Sequence, residues 1–225
     1  MKNIHNVSVF KYFGNKQHLE SFVNKGEVMF NTLSYFLSCE DQVRRDYLEG
    51  SNVYRPPEGL QITLTETRQT LLNTRVFISK INKPHRVFVF CTSTENSDYL
   101  YKKFSATGCV EILNLDAFKK RILHEIKKPI HNIKNKTLLS DAVSYYDSEQ
   151  EPSARHACPD QIIMSKTLPF SDEKEYRFSF AKDQNAFDVN NIDYSLSNKV
   201  LSSNSIGNGK KLILGELTDI VKIIS

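Results

Sequence analysis

Two glutamates stand one residue apart where a crowded acidic turn leads into an aromatic strand. The stretch runs Ser171-Asp172-Glu173-Lys174-Glu175-Tyr176-Arg177-Phe178-Ser179-Phe180. Because side chains alternate along an extended backbone with a period of two, Glu173 and Glu175 are predicted to point to the same side. Both carboxylates would then face one ligand. A solvated acidic loop before an ordinary strand is the common alternative, so the pair needs support from the rest of the chain.

Two earlier segments place polar groups beside aromatic residues. The first is Phe10-Lys11-Tyr12, and the second is Cys91-Thr92-Ser93-Thr94, at the end of an apolar strand. The first offers an ammonium group and a phenol, and the second offers three hydroxyls. Taken singly, such aromatics are more often core residues. If one ligand touches both segments and the acidic turn, all three must line one cleft.

Taken in order, the three segments resemble the motifs of ADP-ribosyltransferases. The acidic pair is similar to the Glu-X-Glu element of that family. The strand at residues 87–94 resembles its second motif, in which Ser-Thr-Ser holds the cofactor and the catalytic glutamate. Lys11 stands where family members have Arg or His, and it supplies a cation for the pyrophosphate as a point charge.

The chain also resembles a bacterial family of unknown function along nearly its whole length. Members of that family open with Phe/Tyr-Lys-Tyr-Phe, continue with a Phe-Asn element, here Phe30-Asn31, and end with a Glu-Tyr-Arg strand. The resemblance includes the closing Leu212-Ile213-Leu214-Gly215. Some toxins of bacterial phage-defence loci look similar.

The resemblance to ADP-ribosyltransferases implies NAD as a substrate whose nicotinamide–ribose bond is broken. The departing nicotinamide already carries positive charge, so the site needs no acid but does need a carboxylate that stabilises the ribosyl cation. Glu175 is assigned that role, and Glu173 is assigned the proton of the attacking nucleophile. Tyr12 is a third catalytic candidate. The implied NAD contacts are Lys11, Tyr12, Tyr35, Phe36, Arg45, Thr92 and Ser93, with the aromatic rings stacking on nicotinamide and the cations neutralising phosphates.

The net charge of +4 is unevenly distributed, because a basic stretch covers residues 119–136 with Glu125 as its one acid. Such a patch would gain affinity for phosphates by counterion release. A solvated helix face is the alternative. The predicted nucleic-acid contacts are Lys119, Lys120, Arg121, Lys127 and Lys128.

Length and composition favour one domain over residues 1–225. Apolar residues make up 40% of the 225 residues, which is ample for a packed core. Many short strands with few, irregularly placed helices favour an α+β fold. We expect two small packed β-sheets, a split β-sandwich of the ADP-ribosyltransferase type, with peripheral helices and a basic helical excursion at about 115–146.

Sequence periodicity also predicts individual elements. Helices are expected over residues 16–24, from an Asp116 cap to about residue 127, and over 138–146. Strands are expected at residues 162–166 and 176–180. The first thirty residues hold no signal-peptide-like apolar run, and no segment approaches the ~20 apolar residues of a membrane span, so a cytoplasmic location without membrane contact is expected.

The cysteines and histidines show no metal-ligand spacing, and no metal is proposed. The first hypothesis is therefore an NAD-dependent ADP-ribosyltransferase, a bacterial toxin or phage-defence effector. Its acceptor would be a nucleic acid, with RNA favoured, or a protein, and an antitoxin or immunity protein is a further expected partner. The alternatives are a non-catalytic nucleic-acid or partner-binding module on the same scaffold, and a metal-independent nuclease that uses Asp46, Glu49 and Glu173.

Overall fold

The computed structural model describes residues 8–38, 46–63, 66–196 and 207–224. Its helices are α1 (Lys16–Lys25), α2 (Leu33–Ser38), α3 (Asp98–Lys103), α4 (Leu115–Ile126) and α5 (Pro159–Ile163). Its strands are β1 (Val9–Phe13), β2 (Glu27–Thr32), β3 (Ser51–Tyr54), β4 (Leu60–Thr63), β5 (Thr70–Thr74), β6 (Phe77–Ile81), β7 (Val87–Ser93), β8 (Gly108–Ile112), β9 (Leu139–Ala142), β10 (Ser144–Tyr146), β11 (Ser165–Thr167), β12 (Glu175–Ala181), β13 (Ile192–Ser195), β14 (Lys210–Ile213) and β15 (Val221–Ile224). The predicted α+β class is confirmed.

The largest sheet is split along one edge of β7. Its order is β14-β2-β7-β1-β8-β15, with β12 on the other edge of β7 and β9 outside β12. β12 pairs with β7 over its full length. The opposite edge of β7 is shared, because β2 pairs with Val89 and Phe88 and β1 pairs with Ser93. Between these two strands, the β7 backbone at residues 90–92 faces a gap.

Apolar layers cover both faces of this sheet. On one face, α1 and α4 contribute Phe22 and Phe118 to a core that includes Phe90 and Phe178. On the other face, a three-stranded sheet of order β13-β6-β3 and helix α5 pack against β7 and β12. All seven residues of β12 are buried as a result. A polar group on this strand must therefore find its partner inside the protein.

Helix α1 joins the two strands that border the gap. The Asn15 side chain caps its first turn by accepting a hydrogen bond from the Gln17 amide at 2.7 Å. Gly26 ends it in the left-handed conformation with φ of 63°. A Cβ at this position would lie 2.1 Å from the Gly215 carbonyl oxygen, so the chain reversal into β2 requires glycine.

Three local predictions were wrong. Residues 138–146 form no helix: β9 pairs with β12 and β10 pairs with β11, so the α-helical part of the basic excursion ends at Ile126. Helix α4 is capped by Asn114, whose side chain accepts from the Ala117 amide at 3.0 Å, and not by Asp116. The strand expected at 162–166 is helix α5 followed by β11.

The first of these errors has a clear physical reason. The outer edge of β12 needs backbone partners, and β9 supplies them over four residue pairs, from Tyr176↔Ala142 to Ser179↔Leu139. This tertiary pairing outweighs a weak local helix preference. Of the helices in the described ranges, none is long and apolar enough to cross a bilayer.

Candidate active site

The gap in the sheet opens into a cleft of about 540 Å³. Residues from β1, from the end of β7 and from the acidic turn line its wall, and they include Lys11, Tyr12, Cys91, Ser93, Glu173 and Glu175. The three segments singled out in the sequence thus meet in one cleft, although the first and the third are more than 160 residues apart. The split edge of β7 explains the convergence, because it places β1 and β12 on opposite sides of Ser93.

Lys11 occupies the gap itself. Its Nζ donates a hydrogen bond to the Cys91 carbonyl at 2.8 Å and lies 4.7 Å from the centroid of the Phe90 ring. The carbonyl of Cys91 is directed toward the gap, where neither β1 nor β2 reaches it. Successive strand residues direct their backbone groups to alternate edges, so the amide of Cys91 points the same way. The gap therefore combines a cation with the polar edge of β7.

The hydroxyls at the end of β7 hold the acidic turn. Thr92 Oγ1 donates to the Tyr176 carbonyl at 2.9 Å, and Ser93 Oγ donates to the Glu173 carbonyl at 2.9 Å. Thr94 Oγ1 reaches the Lys174 carbonyl at 3.1 Å. Three successive hydroxyls thus bind the backbone on both sides of Glu175. Their structural effect is to fix the position of that carboxylate in the cleft wall.

The two glutamates of the turn face one cation, as predicted, but the extended backbone assumed in that prediction is absent before Glu175. Glu173 ends a 3-10 turn, Leu168–Glu173, and Lys174 is left-handed with φ of 48°. This conformation is uncommon for a residue with a Cβ, and the hydroxyl bonds described above stabilise it. As a result, Glu173 Oε2 and Glu175 Oε2 lie 2.7 and 2.9 Å from Lys166 Nζ.

Arg177 clamps Glu175 from the other side. Its guanidinium is 1% exposed, and its Nε donates to Glu175 Oε1 at 2.6 Å. Its Nη1 and Nη2 bind the two oxygens of Glu49 at 2.7 and 2.8 Å, and Nη1 also reaches the Ile163 carbonyl at 2.6 Å. A bidentate Arg–carboxylate pair is geometrically specific. Arg177 therefore links three elements through its hydrogen bonds: β12, the segment before β3 and helix α5.

These charges control the ionisation of the groups around them. Burial disfavours the charged form of Glu175, but the charges of Arg177 and Lys166 outweigh burial and hold the pKa of Glu175 well below its usual range. Burial, followed by the adjacent Glu175 charge, raises the pKa of the Cys91 thiol. Glu175 is thus a carboxylate anion, and Cys91 is a neutral thiol beside it.

The aromatic candidates line the same cleft. The Tyr12 ring packs against Tyr101 and Phe104, with centroids 5.1 and 5.6 Å away. Its hydroxyl accepts from the Ser97 amide at 3.1 Å and donates to the Glu95 carbonyl at 3.0 Å, so Tyr12 anchors the turn after β7. Burial raises the pKa of Tyr12 to about 12.

Tyr35 and Phe36 lie on α2 and contact each other edge to face, with ring centroids 5.4 Å apart. Both side chains line the cleft. Arg45, the remaining predicted NAD contact, lies outside the described residues.

The acidic part of the cleft also contains residues that the transferase hypothesis did not single out. Asp46, Glu49, Lys166 and Arg177 line the cleft together with the two glutamates. Four carboxylates thus surround two cations there. The sequence did hold a signal for one of them: Arg177 follows Glu175 by two residues on an otherwise aromatic strand, and a period of two places both on the same face. Lys166 had no such signal, because its partners come from a separate turn.

The opposite side of β7 contributes lysine side chains to the cleft. Lys211 of β14 lines it together with Lys11, and the His18 imidazole of α1 also lines it. Lys211 also forms an ion pair with Glu27, whose Oε2 lies 3.1 Å from its Nζ. The cleft is thus polarised: four carboxylates with two cations lie on the β12 side, and Lys11 and Lys211 with the single carboxylate of Glu27 lie on the side of β1 and β14.

The basic stretch lies outside the residues that line this cleft. Three of its members have acidic partners: Lys119 with Asp116 at 4.0 Å, Arg121 with Asp219 at 2.5 Å and Lys128 with Glu125 at 2.5 Å. Lys120 and Lys127 are exposed. The stretch is therefore partly neutralised by its neighbours, and the nucleic-acid contacts predicted there remain a hypothesis.

Replacing Lys119, Lys120, Lys127 and Lys128 together by Gln tests that hypothesis. If these side chains contact phosphates, RNA affinity should fall and the slope of log K against log salt should decrease by roughly one unit per lost contact. Stability should fall only modestly, because the Lys119–Asp116 pair is a surface ion pair worth on the order of 0–1 kcal/mol and the buried Glu125, which loses Lys128, keeps its contact with His131. Filter binding at several salt concentrations measures the RNA affinity and its dependence on salt. Unchanged RNA and DNA binding would identify the stretch as an ordinary solvated face.

Comparisons of the chain with protein-family models, with curated proteins and with solved structures gave no significant match, so what the cleft can do must be inferred from its own geometry.

Proposed function

We propose that the protein is an NAD-dependent ADP-ribosyltransferase whose active site is the cleft in the split sheet. The observation that carries this proposal is the convergence of Lys11, Ser93 and Glu175 on three adjacent strands around that cleft. The finer architecture expected from the sequence, a split β-sandwich of the transferase type, is part of the same proposal. The gap between β1 and β2 along the edge of β7 supports the split-sheet architecture.

The polarity of the cleft supports NAD as the ligand. NAD carries a positive pyridinium ring at one end and a negative pyrophosphate near its middle. The carboxylates beside β12 suit the nicotinamide riboside end, and the cations beside β1 suit the phosphates, with Lys11 as the central cation. Tyr35 and Phe36 provide aromatic faces in the same cleft.

Glu175 has the properties that the reaction requires. Breaking the nicotinamide–ribose bond develops positive charge on the ribose, and a fixed anion stabilises that charge best when it needs no reorganisation. Glu175 is 5% exposed, is held by Arg177 and Lys166, and stays ionised because those cations lower its pKa. The departing nicotinamide takes the electron pair of the broken bond and leaves as a neutral ring, so no acid is needed.

Release of nicotinamide from NAD is the direct test. The purified protein should release nicotinamide, and NAD labelled in its adenylate part should transfer label to an acceptor in a mixture of RNA or lysate protein. We propose a cytoplasmic toxin or phage-defence effector as the biological setting, which an antitoxin or immunity protein would restrain. The RNA and protein arms of the assay separate the two acceptor classes.

Three negative outcomes of this test distinguish the proposed function from its alternatives. If the protein neither binds NAD by calorimetry nor releases nicotinamide with RNA, DNA or lysate present, the proposed function is wrong. RNA cleavage without nicotinamide release would favour the nuclease alternative, since Asp46, Glu49 and Glu173 also line the cleft. RNA binding without either reaction would favour the binding-module alternative.

A further inference from the structure

Asp46 is a buried carboxylate of the cleft to which the proposed function gives no role. Its side chain lines the cleft and the residue is 4% exposed. Its Oδ1 accepts a hydrogen bond from the Leu48 amide at 2.8 Å, and its own amide donates to the Phe36 carbonyl at 3.4 Å. These bonds fix the carboxylate in the wall that also carries Glu49 and α2.

Both glutamates of the acidic turn are already engaged with cations. Glu173 Oε2 lies 2.7 Å from Lys166 Nζ, and its Oε1 lies 3.3 Å from Lys103 Nζ. Glu173 therefore holds two lysine side chains at once. Glu175 bonds Arg177 and Lys166 in the same way. Among the described residues, Asp46 instead bonds an uncharged amide, so the acceptance of a proton breaks no ion pair there.

The pKa of Asp46 reflects its burial and the charges that face it among the described residues. They come from Glu49 on its own segment, Lys166 of β11 and Arg177 of β12, and the Tyr146 hydroxyl of β10 is a further titratable neighbour. Burial first and Glu49 second raise the pKa of Asp46 to about 6, against the opposing effect of Lys166 and Arg177. A base with this pKa is largely ionised at neutral pH and still basic enough to accept a proton.

We propose that Asp46 is the general base that accepts the proton of the attacking nucleophile, an inference that rests on the proposed transferase function. The acceptor O–H or N–H attacks the anomeric carbon of the ribose as the bond to nicotinamide breaks. The electron pair of that bond neutralises the pyridinium ring, the acceptor proton passes to Asp46, and water then removes it. Glu175 stabilises the ribosyl cation, and Glu173 positions Lys166.

The pH profile of Asp46→Asn tests this role. In the wild-type protein, the rate of transfer should rise with pH through about 6, because the ionised carboxylate is the active form. Asp46→Asn should lower the rate of transfer by about 100-fold and remove its rise with pH through this range, the acidic limb of the profile. NAD affinity should stay within a few-fold of wild type. Asp193→Asn is the matched control, since Asp193 is an exposed carboxylate on β13.

Azide provides the decisive arm of the experiment. Azide is a nucleophile that has no proton to lose, so it should restore nicotinamide release in Asp46→Asn, with a ribosyl azide as the product. It should not restore Glu175→Gln, which lacks the stabilising charge. Asp46→Ala is the second variant and should respond to azide in the same way, which also covers the case in which the amide disturbs folding.

The outcomes separate this inference from the function on which it rests. Absence of nicotinamide release by the wild-type protein would overturn the proposed transferase. If the wild-type protein releases nicotinamide and a folded Asp46→Asn keeps both the transfer rate and its rise with pH, the role of Asp46 is overturned while the transferase function stands. A slow variant that azide does not restore would show a structural effect of Asp46 and would likewise contradict the proposal.

Discussion

Glu175→Gln should reduce nicotinamide release from NAD by at least ~100-fold. Gln keeps the shape of the side chain and can still accept a hydrogen bond from Arg177, but it removes the negative charge that would stabilise a ribosyl cation. This is the scale on which the loss of one preorganised electrostatic group is felt. NAD affinity should survive, because the phosphates and the adenine lie away from this carboxylate in the proposed complex. Steady-state release and calorimetric binding measure the two effects separately.

Two further variants calibrate this result. Glu20→Gln makes the same chemical change on α1, where the side chain is 53% exposed, and should leave the rate unchanged. Glu173→Gln weakens the anchoring of Lys166 and should have a smaller effect than Glu175→Gln. If Glu175→Gln is folded and releases nicotinamide at the full rate, the transferase proposal loses its central residue.

The sequence was most informative where local pattern and tertiary environment agree. The aromatic alternation after Glu175 predicted a strand at 176–180, and β12 covers Glu175–Ala181. This strand is buried on both faces and paired on both edges, so its composition reflects its place in the fold. Helix α1 was also predicted almost to its ends, because Gly26 marks its C-terminus.

The sequence was least informative where one element exists only because another needs a partner. β9 contains Ser140 and Asp141, which are poor strand formers, and it is a strand because it completes the outer edge of β12. The cap of α4 is a similar case, since Asn114 and Asp116 are both good capping residues and the fold selects the first.

The candidate site shows the same division. The segments around Lys11, Ser93 and Glu175 were identified before the fold was known, because each carries polar groups beside a strand pattern. The cations that hold the carboxylates were not identified from the sequence. Arg177 and Glu49 are 128 residues apart, and no local spacing predicts that they form a bidentate pair. Such pairs follow from topology alone.

Arg177→Met should destabilise the protein by about 3–5 kcal/mol, the largest stability effect that we expect of a single substitution. Met fills much of the apolar volume of the arginine side chain but leaves the carboxylates of Glu49 and Glu175 without their shared partner. Both are at most 5% exposed, so water replaces the guanidinium poorly. Equilibrium unfolding in urea at pH 7 measures the loss. Arg86→Met is the control, because the Arg86–Asp183 pair is about one-third exposed and should contribute under ~1 kcal/mol.

The pH dependence of unfolding supplies an independent check on the same clamp. The folded-state pKa of Glu175 is lowered, so its stabilising contribution is present above the unfolded value of about 4.5 and is lost as pH falls through the folded value. Wild-type stability should therefore decline as pH drops below about 4.5, and Arg177→Met should weaken that decline because Glu175, left with Lys166 as its cationic partner among the described residues, loses less on protonation. Adding Glu49→Gln to Arg177→Met should recover part of the lost stability, since one buried charge is then removed. An Arg177→Met protein that unfolds within 1 kcal/mol of wild type would mean that the clamp does not hold the acidic side of the cleft.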